Sequence, residues 1–200
     1  MLTAGSSTNL YTINLKDQKI RRLLAEHPAL KAEPEVELIV DGIKLIDPKT
    51  GHTPQMHADG IALQPDGDYL YLHALTGRTL YRIKTSHLRD EDLAPEELAK
   101  KVEKVIETSA CDGMLMDEKN LYLAAFEKNA IEQYDVDGKK LTTLITDDKL
   151  QWPDSLSWGA DGLLYVTTSQ IHRTPKFNQG ESKLKGPFML YRMNLTAPKK

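Results

Sequence analysis

A short pattern of polar and apolar positions occurs three times along the chain. In each copy an aspartate and a small residue precede a short apolar strand, and a polar turn leads to a strand with a Leu-Tyr pair. Repetition at this length is typical of a solenoid or of the blades of a β-propeller. The copies run from Asp59-Gly60-Ile61 to Leu70-Tyr71, from Asp112-Gly113-Met114 to Leu121-Tyr122, and from Asp154-Ser155-Leu156 to Leu164-Tyr165.

The spacing of the copies predicts an insertion in the first unit. Asp59 and Asp112 are 53 positions apart, whereas Asp112 and Asp154 are 42 apart. In the longer interval Pro95 suits the first turn of a helix, and four apolar residues then recur with helical spacing: Leu98, Val102, Val105 and Ile106. We therefore predict an all-β chain with one inserted helix over residues 94–107.

The N-terminal part predicts two hairpins. Residues 9–15 alternate apolar and polar positions and pair with 20–24, and a second hairpin surrounds the Asp41-Gly42 turn. Together with the repeats, this predicts a partial β-propeller of about three and a half blades over residues 1–200. Its parts are a blade remnant at 1–46, a blade at 59–108 containing the helix, and blades at 112–147 and 154–195.

An open arc of blades leaves a blade face and a strand edge in water at each end. Closed propellers have at least about four blades, so we expect this chain to be the C-terminal part of a longer protein. We also expect the open edges to allow self-association.

Composition and charge narrow the function classes. The formal net charge is −3 and the sequence has no basic stripe, which argues against a nucleic-acid partner. No apolar run reaches membrane-spanning length, and Met1–Thr8 does not resemble a signal peptide. Cys111 is the one cysteine, which excludes an internal disulfide, and Asp112 beside it disfavours a reactive thiolate.

The three repeated aspartates are the main candidates for chemistry. Residues just before the innermost strand of each blade converge on the central channel, so Asp59, Asp112 and Asp154 are expected to lie close together. Three carboxylates suit a hard divalent cation such as calcium or magnesium, with Asp59 and Asp112 as its ligands. The alternative is that each aspartate caps a turn by accepting backbone N–H bonds.

Histidines and tryptophans supply the remaining candidates. His57 precedes Asp59 by two residues and could transfer a proton near neutral pH, or it could be a surface loop residue. His172 is interpreted either as a ligand-binding residue or as a structural hydrogen-bonding group. Trp152, before Pro153-Asp154, is expected to wall a ligand pocket at the channel.

Beyond these patterns, the sequence resembles bacterial members of the yellow / major royal jelly protein family, whose bacterial members are often labelled dopachrome tautomerase-related. The resemblance covers nearly the whole chain and rests on the order of several runs. They are Asp59 to Gly67, Ala74 to Ile83, Asp112-Gly113, Asn129-Ala130-Ile131, Trp152-Pro153-Asp154, Gln170 to Arg173 and Phe177-Asn178.

The resemblance implies a six-bladed β-propeller similar to the gluconolactonase and senescence-marker lactonases. It implies a secreted protein, extracellular or periplasmic at full length, with a signal peptide and roughly two more blades that this sequence lacks. In those lactonases a metal lies at the channel; Asp112 stands where they have an aspartate, and Asp59 where they tend to have an asparagine.

Three functions therefore stay open. The first is a propeller protein that binds a small molecule, aromatic or amine in character, in its central channel. The second is an enzyme, either a metal-dependent lactonase or a dopachrome-type isomerase, with His57 and Asp112 as catalytic candidates. The third is a truncated chain without independent activity. Fold alone does not choose among them.

Overall fold

The computed structural model describes residues 8–195. Residues 1–7, where the predicted blade remnant begins, and residues 196–200 lie outside the described part. Within 8–195 the chain forms fifteen strands in five antiparallel sheets. The first two sheets are hairpins, formed by β1 (Leu10–Ile13) with β2 (Ile20–Leu23) and by β3 (Ile39–Val40) with β4 (Ile43–Lys44).

The other three sheets are blades whose strands follow one another in sequence order. The first blade contains β5 (Ala58–Leu63), β6 (Tyr69–Ala74), β7 (Thr79–Lys84) and β8 (Glu103–Glu107). The second contains β9 (Met114–Met116), β10 (Asn120–Ala125), β11 (Ala130–Asp135) and β12 (Lys140–Thr146). The third contains β13 (Pro153–Trp158), β14 (Leu164–Thr168) and β15 (Leu190–Met193).

Apolar layers between successive sheets hold these blades in an arc. Leu10 and Leu23 of the first hairpin pack with Leu70 and Leu72 of the first blade. A second layer joins the first and second blades, and a third joins the second and third. Burial on both faces of the middle strands explains why β6 and β10 are almost continuously apolar rather than alternating. The fold is a partial β-propeller.

The predicted helix over residues 94–107 is wrong in extent. The structure has two short helices, α1 (Thr85–Arg89) and α2 (Pro95–Ala99), and residues 103–107 form β8, the outer strand of the first blade. A bulge between the pairs Leu80↔Ile106 and Tyr81↔Lys104 leaves Val105 unpaired. As a result, Val105 and Ile106 both pack against the core between the blades, which imitates helical spacing in the sequence.

The predicted remnant at 1–46 separates into two structures. The β1–β2 hairpin packs on the first blade, whereas β3–β4 belongs to a cap that packs on loops of all three blades. Leu38, Val40 and Leu45 of this cap pack with Phe126 and Trp152, and short 3₁₀ helices at Ile171–Arg173 and Pro175–Phe177 complete it. Two further 3₁₀ helices span Pro28–Leu30 and Phe126–Lys128.

Among the described residues, no helix has the length and apolar character needed to cross a membrane.

Candidate functional site

The three repeated aspartates lie in one cleft at the entrances of the innermost strands. The cleft has a volume of about 250 Å³, and each blade contributes the same three consecutive positions to it. An aspartate, a small residue and an apolar residue come from each blade, so carboxylates and apolar side chains face one space. The lining residues are Asp59, Gly60, Ile61, Asp112, Gly113, Met114, Asp154, Ser155 and Leu156. The predicted convergence of the aspartates is therefore present in the structure.

Two glycines allow the strand entrances to approach this closely. The Gly113 N–H donates to the Asp154 carbonyl at 2.9 Å, and a Cβ on Gly113 would lie 2.1 Å from that carbonyl oxygen. At Gly60 a Cβ would lie 3.1 Å from the Asp112 carbonyl oxygen. The small residue after each of these aspartates thus brings neighbouring blades, and with them the carboxylates, together.

The carboxylates influence one another strongly. Burial raises the pKa of Asp112 to about 8, and the negative charges of Asp154 and Asp59 add to this effect, while the Trp152 N–H acts against it. Burial also raises the pKa of Asp59, and the charge of Asp154 contributes in the same direction. Like charges in a poorly solvated space resist simultaneous ionisation, so Asp112 holds its proton at neutral pH.

Trp152 lies behind the cleft rather than along its wall. Its side chain is fully buried, and its Nε1–H donates to Asp112 Oδ2 at 2.7 Å. One face of the indole stacks on Phe126 with ring centroids 4.2 Å apart, and His172 is parallel to it at 6.0 Å. The prediction that Trp152 contacts the ligand as a pocket wall is therefore corrected, since the residue reaches the cleft through Asp112.

His172 also lies outside the cleft lining. It is 2% exposed, and its Nε2 lies 3.0 Å from Asp41 Oδ2. Burial lowers the pKa of His172, with the nearby Asp41 carboxylate opposing the shift. Of the two interpretations of His172, the structure favours the hydrogen-bonding role.

His57 takes a structural position. Its Nδ1 accepts a hydrogen bond from the Ala32 N–H at 3.0 Å, and its carbonyl accepts from the Leu75 N–H at 3.0 Å. It is half-buried and does not line the cleft. The structure therefore does not bring His57 to the aspartates, and Asp112 is the catalytic candidate that remains at the site.

The sequence pattern identifies Asp41 only as a turn residue, yet in the structure its carboxylate connects several segments of the cap. It has a positive φ of 52°, and its two carboxylate oxygens accept hydrogen bonds from four side chains. Asn129 and Gln151 approach Oδ1, while His172 and Arg173 approach Oδ2, at distances of 3.0 to 3.4 Å. The sequence signal for this node is the Asp-Gly turn, but its partners lie about 90 or more residues away along the chain, which no local pattern reveals.

A second buried polar cluster lies between the first two blades. His73 Nε2 is 2.8 Å from Thr108 Oγ1, and the Ser109 hydroxyl donates to Glu132 Oε1 at 2.8 Å. Lys128 Nζ lies 2.9 Å from the same carboxylate oxygen. Burial lowers the pKa of His73 to about 4, so the ring is neutral and its Nδ1–H donates to the Ala74 carbonyl at 2.6 Å.

Among the larger cavities, one of about 530 Å³ lies beside Arg78 and Lys128, and two of about 540 and 510 Å³ follow the β1–β2 hairpin. Arg21 lines both cavities along the hairpin. Its guanidinium donates to the carbonyl oxygens of Leu88 and Asp90, so it attaches the hairpin to the segment around α1. We place the candidate site in the smaller cleft because it combines three repeated aspartates with raised pKa values at two of them, Asp59 and Asp112, and perturbed pKa values cluster at functional sites.

The residues of the cleft do not by themselves fit a metal centre. Within 8–195, no group of three or more His, Cys, Asp or Glu side chains has the arrangement needed to hold a metal ion. Asp59 and Asp112, which are predicted as metal ligands, therefore lie in the same cleft but do not form a coordination set.

Fold and site together define a β-propeller with an acidic cleft at the entrances of its inner strands. The sequence model of the major royal jelly protein family, described as "Major royal jelly protein", matches residues 5–196. The chain belongs to this family. A comparison with curated proteins found no match.

Several solved structures resemble the chain at low identity. Hydrazine synthase of Kuenenia stuttgartiensis aligns with a TM-score of 0.52 and 15% identity over 84% of this chain and 38% of its own. A streptogramin B lyase aligns with a TM-score of 0.51 and 12% identity over 81% and 42%. A gluconolactonase of Xanthomonas campestris aligns at 0.48, with 16% identity over 82% and 55%. At these identities the first two support the fold alone.

The chain spans about two fifths of the length of the first two structures. The activity, substrates and partners of a whole propeller protein are therefore matters of proposal for this chain.

Proposed function

We propose that the cleft binds a small organic molecule that carries a protonated amine and an apolar body. The observation that carries the proposal is the threefold lining, in which three carboxylates and three apolar side chains share about 250 Å³. A space of this size suits a small ligand, since pockets for drug-sized molecules begin at roughly 300 Å³. The ammonium would contact the carboxylates, and the apolar body would contact Ile61, Met114 and Leu156.

Electrostatics favour a cationic ligand. Asp59 and Asp112 have raised pKa values because they are buried and because Asp154 adds negative charge. An ammonium ion at this position would favour the ionised carboxylates and relieve their mutual repulsion. Binding near neutral pH would then release the proton of Asp112.

Catalysis is a less supported alternative. The lactonase and isomerase hypotheses need a group that transfers a proton at the reacting atoms. Among the described residues, Asp112 lines the cleft with a pKa suited to this task, whereas His57 and His172 do not line it. The similar structures include a lyase and a synthase, but these similarities support only the fold.

Calcium or magnesium is a second candidate ligand, because Asp59, Asp112 and Asp154 supply the oxygen donors that such ions prefer. As described above, these donors do not form a complete coordination set. A cation site would therefore need further oxygen ligands, such as water molecules, to complete its coordination.

Calorimetric titration of the 200-residue chain with phenethylamine tests the proposal. We expect binding that is lost with phenethyl alcohol, in which an uncharged hydroxyl replaces the ammonium. Asp59→Asn should weaken binding about tenfold or more, since one charge of the ion pair is removed. Asp137→Asn, in the exposed turn of the second blade, is the matched control and should leave the affinity unchanged.

Equal affinity for the amine and the alcohol would contradict the proposal. Absence of binding to both would contradict it as well and would favour the hypothesis that this chain has no independent activity. The same titration with calcium and with magnesium separates the metal hypothesis from the amine hypothesis.

A further inference from the structure

Trp152 occupies a conformation that needs an explanation. Its backbone φ is +58°, in the left-handed region that bulky residues rarely adopt, although its side chain is fully buried. A buried residue keeps such a conformation when its surroundings fix it and when its position matters. What this conformation achieves is visible at the indole nitrogen, which donates to Asp112 Oδ2 at 2.7 Å.

Two aromatic neighbours parallel to the indole fix its orientation. Phe126 stacks with ring centroids 4.2 Å apart and planes 12° apart, and His172 lies on the ring at 6.0 Å and 7°. Phe126 belongs to the second blade, and His172 belongs to the loop between β14 and β15 of the third blade. Two separate parts of the chain therefore contact the ring.

The orientation of His172 is fixed in turn by Asp41. The His172 side chain is 1% exposed, and its Nε2 faces an Asp41 oxygen at 3.0 Å. Arg173, Asn129 and Gln151 also donate to Asp41, so the carboxylate cannot reorient without breaking several hydrogen bonds. A continuous series of contacts thus runs from the β3–β4 turn through His172 and Trp152 to Asp112.

We propose that Trp152 is a positioning residue for the Asp112 carboxylate and that Phe126 and His172 hold its indole in the required orientation. This inference rests on the proposed function, because it explains how the cap sets the ligand affinity of the cleft. Trp152 itself does not touch the ligand. The indole N–H holds Asp112 by Oδ2 and so keeps this carboxyl in hydrogen-bonding reach of Asp59, where an ammonium would contact both groups.

Trp152→Phe is the direct test, since it keeps an aromatic ring in the stack and removes the N–H donor. We expect about tenfold weaker binding of phenethylamine, the scale of a hydrogen bond to a charged group, with a melting temperature close to that of the wild type. Trp158→Phe is the matched control. Its indole nitrogen is buried without a hydrogen-bond partner among the described residues, so its loss should leave the affinity unchanged.

A second measurement covers the case in which Trp152→Phe fails to fold. In the Trp158→Phe protein, Trp152 is the remaining tryptophan, and phenethylamine should change its fluorescence because binding alters the charge of Asp112 beside the indole. Phe126→Leu should weaken binding about threefold by loosening one face of the stack.

The outcomes are distinct for the two proposals. Wild-type protein that binds no phenethylamine contradicts the proposed function. Wild-type protein that binds, together with a folded Trp152→Phe protein of equal affinity, contradicts only the positioning role. Unchanged Trp152 fluorescence during saturable binding to the Trp158→Phe protein contradicts it as well.

Discussion

Two polar clusters in the blades differ in how completely their charges are compensated. Between the first two blades, Glu132 is 2% exposed and accepts hydrogen bonds from Ser109 and Lys128, and His73 is neutral with both ring nitrogens facing partners. In the cleft, by contrast, Asp59 and Asp112 lie beside a third carboxylate, and their pKa values are raised.

From this difference we infer that the first cluster is structural and that the second is the candidate functional site. A buried polar network with satisfied partners stabilises one arrangement of the chain, because each lost partner leaves an uncompensated group. Carboxylates that repel one another lower the stability of the folded protein and are kept where they serve binding or catalysis. Changes in the two clusters should therefore shift stability in opposite directions.

The largest effect is expected in the structural cluster. Glu132→Ala should lower the free energy of unfolding by about 3 kcal/mol, since it leaves the buried Ser109 hydroxyl without its acceptor and opens a cavity. Urea unfolding followed by circular dichroism measures this. Glu118→Ala, on the exposed turn between β9 and β10, is the control and should change stability by less than about 0.5 kcal/mol. A loss of that small size at Glu132 would contradict the structural assignment.

The second prediction concerns His73 of the same cluster, which should make the folded protein less stable in acid. The pKa of His73 is about 4 in the folded protein and 6.5 as its ordinary value, so the unfolded chain binds the additional proton between these values. Stability from this group is therefore complete above pH 6.5 and decreases as the pH falls toward 4, by about 2–3 kcal/mol.

The corresponding measurement compares unfolding of the wild type at pH 7 and pH 4.5 with that of His73→Gln. The variant should be less stable at pH 7 and should lose less stability on acidification, because glutamine takes up no proton. Equal acid-induced losses in the two proteins would show that His73 is not the titrating group.

A substitution in the cleft should change the free energy of unfolding in the opposite direction to one in the structural cluster. Asp112 has a folded pKa of about 8, above its ordinary value of 3.8, so its contribution to stability is complete below pH 3.8 and is lost as the pH rises through 8. Asp112→Asn removes this ionisation and should raise the free energy of unfolding at pH 8 by about 1–2 kcal/mol. Thermal unfolding at pH 5 and pH 8 should show that the variant gains more stability over the wild type at the higher pH. A variant that is less stable than the wild type at pH 8 would contradict this prediction.

A smaller effect is expected at the outer edge of the third blade. Leu190 lies on β15, which pairs with β14 and has no second neighbour strand among the described residues, and Phe188 and Met189 beside it are exposed. We expect the 200-residue chain to self-associate through this edge. Leu190→Lys should raise the dissociation constant about threefold to tenfold in analytical ultracentrifugation, because a charge on an edge strand opposes pairing.

Much of this architecture was accessible from the sequence because it repeats. The Asp-to-Leu-Tyr pattern located the inner strands of all three blades, and the position of each aspartate at a strand entrance predicted their convergence. The family assignment predicted from the ordered motifs is confirmed. Cys111, expected to be a small buried residue, is fully buried.

The features that the sequence did not predict depend on contacts between distant segments. A β-bulge gave Val105 and Ile106 a helix-like spacing. The period of the apolar positions alone could not distinguish a helix from a bulged strand. Trp152 lies two residues before Asp154, yet it supports Asp112 of the preceding blade. The Asp41 node joins residues separated by 88 and 131 positions, so only the folded chain brings them together.

We expect Asp112 to keep a raised pKa in the acidic cleft and to use its charge to bind an ammonium group. Carbon-13 NMR of the aspartate side-chain carboxyls measures this directly, with Asp112→Asn to assign the signal. Without ligand, we predict that the Asp112 signal titrates with a midpoint near pH 8, and that saturating phenethylamine moves the midpoint to lower pH because the ammonium stabilises the carboxylate. A midpoint near pH 4, or one that phenethylamine leaves unchanged, would contradict the account.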